Sequence, residues 1–239
     1  EYEAIKVTAS SPKDVSSLAE AVKMLPESLH VLEIDINFIT RYITEKGFKP
    51  LEWYEIEGKL LEENEFGGIS EQIDAEIILK LQSLRKSSEQ EFMPKVLAFD
   101  IEVDNFEIGK GKILMISLVS RNLKKVLTWK KISSEEGFIE FCKDEKEMIE
   151  RFADTVRKEK PDFITGYFSD GFDMPYLKAR ADKNKIKLDI ARDNSNLSFL
   201  RGRISSAKLA GLPHIDLFRF IDTVYSQYLQ SETLSLNEV

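Results

Sequence analysis

Asp100 and Glu102 stand two residues apart at the end of an apolar run, in the segment 95–105, KVLAFDIEVDN. In a strand, side chains at i and i+2 share a face, so the two carboxylates project together. Two adjacent carboxylates repel, and burial raises that cost. A hard divalent cation with oxygen ligands relieves it. Carboxylate sites of this kind hydrolyse phosphodiesters, often with two metals roughly 3.5–4 Å apart. A bare D-x-E pair is unspecific in a chain with 42 Asp and Glu, and a solvated strand end also accounts for it. The flanking Val96, Leu97, Ala98, Phe99 and Ile101 read as a strand buried on both faces, where unpaired acids are costly.

A second acid, Asp173, closes the segment 164–173, ITGYFSDGFD, just before MPYLKA. The pattern is strand, small-residue turn, then a helix beginning near Pro175. Asp173 at that helix start reads either as an N-cap or as an acid facing a cleft. His214, Asp216, Lys110 and Lys112 are weaker candidates. Packing explains the histidine, a strand end the acid and a solvated hairpin tip the lysines.

The elements that must position these residues follow from the chain's patterning. Strands are expected at 95–103, 113–120 and 125–129, with turns at Gly109-Lys110-Gly111 and Arg121-Asn122. Three such strands in succession suggest an antiparallel meander. Asp144 with Glu147 reads as a capping box opening a helix that buries Met148, Ile149, Phe152 and Val156. Pro161 ends that helix, and 163–167 is the next strand. A β-β-β-α-β order with an acidic pair on the first strand is that of the ribonuclease H-like fold.

Upstream, Ser11 and Pro12 read as a helix N-cap and first residue, followed by Val15, Leu18 and Val22 on one face. Residues 30–34 are expected as a short strand and 35–46 as a helix closed by Gly47. Residues 54–92 are acidic, and Ile73, Ile77, Leu81 and Leu84 there predict a single amphipathic helix between flexible ends.

The chain has 239 residues, 42% hydrophobic, enough for a sizeable core. No apolar stretch reaches the roughly 18 residues of a membrane span. The single Cys142 excludes an internal disulfide and a cysteine-based zinc site, and two histidines make a His-rich metal site improbable. The net charge of −8 argues against general stickiness for nucleic acid but leaves room for a local basic groove. An intracellular, cytoplasmic protein with no membrane partner is expected. A chain opening on Glu1 rather than Met is expected to be an excised piece, its true start and targeting out of view.

Taken in order, these segments resemble the proofreading 3′-5′ exonuclease domain of family B DNA polymerases, archaeal members especially. That family's first exonuclease motif, F-D-I-E, matches Phe99-Asp100-Ile101-Glu102. Its second, Y-N-x-D-x-F-D-x-P-Y-L, is matched from Tyr167 to Leu177 except at Phe168, where the family usually has Asn. Glu147-Met148-Ile149 and His214-Ile215-Asp216-Leu217 fit as well.

The resemblance implies an α/β architecture. A ribonuclease H-like exonuclease domain would occupy 95–239, a partial α+β N-terminal domain 1–53, and an acidic helical insertion or linker 54–94. It implies that Asp100, Glu102 and Asp173 are catalytic and hold Mg²⁺ or Mn²⁺ as a two-metal site. Phe168, Phe172 and Tyr176 would contact DNA. The implied partners are a single-stranded or frayed 3′ end on a primer–template, and the remainder of a polymerase chain.

Pro12, Val15 and Phe38 would line a template-base pocket like that of archaeal members; ordinary helix packing explains them equally. The third motif, Y-x-x-x-D, is expected beyond Val239, so the domain would be truncated before it. The alternative is a catalytically degenerate exonuclease scaffold that binds primer or template strands without cutting, which Phe168 favours and the three acids do not.

Overall fold

The computed structural model describes residues 4–26, 30–134, 136–200, 205–229 and 234–236. The chain divides into two compact units, Glu1–Glu57 with Leu81–Gln90, and Gly58–Lys80 with Glu91–Val239.

In the first unit the Ser11 hydroxyl accepts the Lys13 N–H, and Pro12 opens a 3-10 turn that runs into α1 (Val15–Lys23). Helix α2 (Phe38–Lys46) begins three residues later than its sequence suggests. Asn37, not Asp35, supplies the cap, its side chain accepting the Thr40 N–H at 2.9 Å. Gly47 closes α2 at φ 69°, as expected. The strand expected at 30–34 is absent: the backbone there bends and turns, with Glu33 at φ 62°. No strand accommodates that angle.

The expected amphipathic helix over 73–84 is also absent. Residues 54–86 instead hold β1 (Tyr54–Leu60), one short helical turn α3 (Ile69–Gln72) and β2 (Leu79–Lys86), with β1 and β2 paired as a two-stranded sheet. Ile73 already has an extended backbone (φ −114°, ψ 123°), so the apolar stripe at helical spacing is split between a helix exit and a strand. Exposed cross-strand polar pairs accompany the strand pairing, with Ser83 donating to Glu57 and Arg85 pairing with Glu55.

The second unit is built on a six-stranded sheet. Strands β3 (Val96–Val103), β4 (Ile113–Val119) and β5 (Lys124–Thr128) form the expected antiparallel meander. A short β6 (Ile139–Phe141), not anticipated from sequence, adds in parallel to β5. Helix α4 (Glu145–Glu159) follows, then β7 (Phe163–Gly166) and α5 (Asp173–Lys183). After the small hairpin β8 (Ser198–Leu200) and β9 (Ser206–Lys208) come β10 (His214–Asp216) and α6 (Leu217–Val224). The sheet order is β10-β7-β3-β4-β5-β6, with β10, β7 and β3 mutually parallel. This is a mixed central sheet of the ribonuclease H-like kind.

Asp144 caps α4 by accepting the Glu147 N–H at 2.9 Å, while the Glu147 carboxylate reaches back to the Lys143 N–H, one residue further than a capping box requires. Met148, Ile149, Phe152 and Val156 are buried, and the Phe152 ring centroid lies 5.7 Å from that of Phe99. Strand β3 is not buried on both faces. Leu97, Phe99 and Ile101 are in the core, but Asp100 and Glu102 stand on the alternate, exposed face. The apolar run is continuous in sequence because the small Ala98 breaks its alternation only weakly.

Candidate active site

The site exists because two neighbouring strands stop pairing at different points. β7 runs alongside β3 only as far as the pair Ala98–Thr165. At Gly166 the backbones are so close that a Cβ would lie 3.1 Å from the Phe99 carbonyl oxygen, and β7 then turns away. Beyond that point the Ile101 N–H of β3 has lost its strand partner. Asp173 replaces it, its Oδ1 accepting the Ile101 N–H at 3.2 Å. The N-cap position of α5 falls to Phe172, without a side-chain capping bond, so Asp173 is not spent as a cap. Its carboxylate is committed to the strand beside Asp100.

Asp173 is 4% exposed. Burial, and then the negative charge of Asp100, push its pKa up to about 7. Asp100, on the open face of β3, is only partly desolvated; that desolvation and the adjacent Glu102 charge raise its pKa as well. Asp216 adds a smaller repulsion on Asp173. Asp100 and Asp173 are hard oxygen donors whose anions are destabilised by burial and by neighbouring charge, the condition a divalent cation relieves. The donor chemistry therefore fits such an ion. Among the described residues, no group of three or more His, Cys, Asp or Glu side chains is disposed to hold a metal as it stands. Asp100 and Asp173 are brought together, and Glu102 neighbours Asp100 along the strand.

Phe168 lies in the turn between β7 and α5, half exposed, at φ 57°. Its ring covers Gly171, where a Cβ would stand 2.6 Å away, and meets Phe218 edge-on at 5.1 Å. Phe172 is partly buried between Phe106 and Tyr176. Tyr176 is wholly buried and donates its hydroxyl to the Asn105 carbonyl at 2.8 Å. That corrects the expectation of a DNA contact there, because the inner face of α5 must fill the core.

Asp216 caps α6 by accepting the Phe218 N–H at 3.0 Å, and the His214 side chain is buried. Lys110 pairs with Glu107, while Lys112 and Lys130 lie over the Trp129 ring. In the first unit an open surface depression of about 440 Å³ is lined by Thr8, Ala9, Ser10, Asp14, Ser17 and Leu18. Pro12 and Phe38 are exposed and Val15 half-buried, and none of the three lines it.

Two residues of the site were not singled out from sequence. Asp170, buried in the same turn, accepts the Ala207 N–H at 2.7 Å and Arg219 Nη1 at 2.6 Å. Its Oδ1 lies 3.2 Å from His214 Nδ1, within ion-pair reach but too poorly aligned for a hydrogen bond. Burial pushes the Asp170 carboxyl up, yet His214, Ala207 and Arg219 outweigh it and hold the group below the usual range. An acid inside a small-residue turn was the available signal for Asp170. Nothing in sequence marked Arg219.

Residues 29–239 match the family model described as DNA polymerase family B, exonuclease domain. The chain belongs to this family. It is 32% identical over 220 residues to a DNA polymerase of Pyrococcus glycovorans, covering 90% of this chain and 23% of that one. Against a DNA polymerase of Thermococcus litoralis it is 30% identical over 224 residues, 91% of this chain and 11% of that one. Among solved structures, the family B DNA polymerase from Pyrobaculum calidifontis aligns with a TM-score of 0.69 at 25% identity, over 90% of this chain and 26% of that one. The exonuclease-domain chain thus spans about a quarter or less of these relatives' length.

Proposed function

We propose that this chain is the proofreading 3′-5′ exonuclease part of an archaeal-type family B DNA polymerase and removes the 3′-terminal nucleotide of DNA. One observation carries the reading. In a chain of this family, the second-motif acid Asp173 is tied to the first-motif strand at Ile101, next to Asp100. Asp100, Glu102 and Asp173 are the proposed catalytic acids and would hold Mg²⁺ or Mn²⁺, as one or two ions.

The chemistry supplied by a divalent cation there is acidification of an attacking water and neutralisation of charge on the leaving 3′ oxygen. This chain's own residues do the rest. Asp173, whose carboxyl burial and the Asp100 charge push up to about 7, would hold a cation in its deprotonated form. Ile101 N–H fixes which way its carboxylate points. Phe168 and Phe218 offer an exposed aromatic edge on which a splayed terminal base can stack. An unpaired 3′ end reaches a separate site at lower cost than a paired one, which favours mismatched primers.

The family match does not favour the alternative of a cleavage-dead binding module. The test compares a 5′-labelled primer with a mismatched and a matched 3′ end. Faster shortening of the mismatched end, with release of nucleoside 5′-monophosphates, supports the proposal. Tight binding of the same DNA with no product released would overturn it for the binding module.

A further inference from the structure

Behind the acid site lies a buried polar network that no step above uses. It is centred on Asp170, three residues before Asp173. Three elements converge on that carboxylate: Ala207 N–H from β9, Arg219 from α6 and His214 from β10. The Asp170 N–H in turn donates to Asp216 Oδ2 at 2.9 Å, and the neighbouring Ser169 Oγ lies 2.9 Å from His214 Nε2. Arg219 also binds the Ser206 hydroxyl. The Ser169–His214–Asp170 order resembles a nucleophile relay, but Ser169 is wholly buried and no substrate reaches it.

The turn needs holding from outside. Its internal bonds run from Gly171 and Phe172 N–H to the Phe168 carbonyl and, as a wider i to i−5 bond, from Met174 N–H to the Ser169 carbonyl. They fix the turn's shape but not its placement against β3. Phe168 sits in the left-handed region, where a bulky residue is strained and persists only if its surroundings over-determine it.

We propose that Asp170, His214 and Arg219 are positioning residues, which clamp the turn 167–172 onto β10 and α6 and so deliver the Asp173 carboxylate to β3. The proposal rests on the exonuclease reading only in its catalytic consequence; the placement itself can be read without metal or DNA.

The test measures amide hydrogen exchange in the metal-free chain and in Arg219→Met, Arg219→Lys and Asp170→Asn. The reporter is the Ile101 N–H, which Asp173 alone protects past the end of β7; the reference is the Phe152 N–H in α4. In Arg219→Met and Asp170→Asn, Ile101 exchange is expected to accelerate ~10-fold or more, with Phe152 unchanged. Arg219→Lys should recover most of the protection. In parallel, kcat for 3′ shortening should fall ~10–100-fold at unchanged KM, as for lost outer-shell partners.

Wild-type protection at Ile101 in Arg219→Met and Asp170→Asn would overturn the proposal. So would equal loss at Ile101 and Phe152, which marks a merely structural role. If the unaltered chain shortens no DNA, the exonuclease reading fails by itself, and Ile101 exchange still decides the clamp.

Discussion

At the scale of single residues, Asp173 carries the sharpest expectation. Its carboxyl titrates near pH 7 in the folded chain against an ordinary 3.8. The folded state therefore binds this proton more tightly than the unfolded chain does. The stability it contributes is fully present below about pH 4 and is lost as pH rises through 7. Asp173→Asn keeps an oxygen for the Ile101 N–H and removes the charge. Without divalent cation, the variant should unfold at a higher temperature than the parent at pH 8, with the gap closing by pH 4. Adding Mg²⁺ at pH 8 should stabilise the parent and not the variant; scanning calorimetry reads both effects.

Phe168 gives a second residue-scale expectation. Asn tolerates the left-handed region better than Phe, which offsets the loss of an edge-to-face contact worth about 0.5–1.5 kcal/mol. Phe168→Asn should change the unfolding free energy in urea by under ~1 kcal/mol. It should raise KM for a single-stranded 3′ end roughly tenfold, through lost stacking.

Among the elements, the join between α4 and α5 sets how firmly the acid-bearing helix is seated. Glu145 and Arg180 are both buried; Arg180 Nε donates to Glu145 Oε1 at 2.7 Å, and the same carboxylate accepts the Ile113 N–H at 2.9 Å. Arg180→Met leaves that carboxylate unpaired and should cost ~3–5 kcal/mol in urea unfolding. Adding Glu145→Leu should recover more than half of it, short of full recovery because Ile113 then lacks an acceptor.

Element patterns were legible in sequence where local chemistry fixes them. The strands expected at 95–103, 113–120 and 125–129, the Asp144 cap and the Gly47 stop all depend on neighbouring residues, whereas the one-sided burial of the first strand was not legible. The β1–β2 pair was not legible. Its register depends on contacts some 26 residues apart, such as Ser83 with Glu57, while Ile73, Ile77, Leu81 and Leu84 fall at helical spacing without sharing a helix. The two acids of β3 and Asp173 were legible as types. That Asp173 fills the place of a missing strand partner was not, because it follows from where β7 leaves the sheet.

For the whole molecule, the parallel strands β3, β7 and β10 bring their carboxyl ends to one edge of the sheet, which collects Asp100, Asp173 and Asp216 from segments far apart in sequence. The net charge of −8 is consistent with an enzyme that must concentrate acids around a cation yet receive DNA. On the proposed function, Asp100 and its neighbours cut DNA from the 3′ end with a divalent ion. The most direct measurement is Mg²⁺- or Mn²⁺-dependent shortening of a mismatched primer–template by this chain, with Asp100→Ala alongside. Stepwise 3′ shortening that a chelator stops and Asp100→Ala abolishes is the predicted result. Shortening that survives the chelator or Asp100→Ala, or none with either metal, would contradict it.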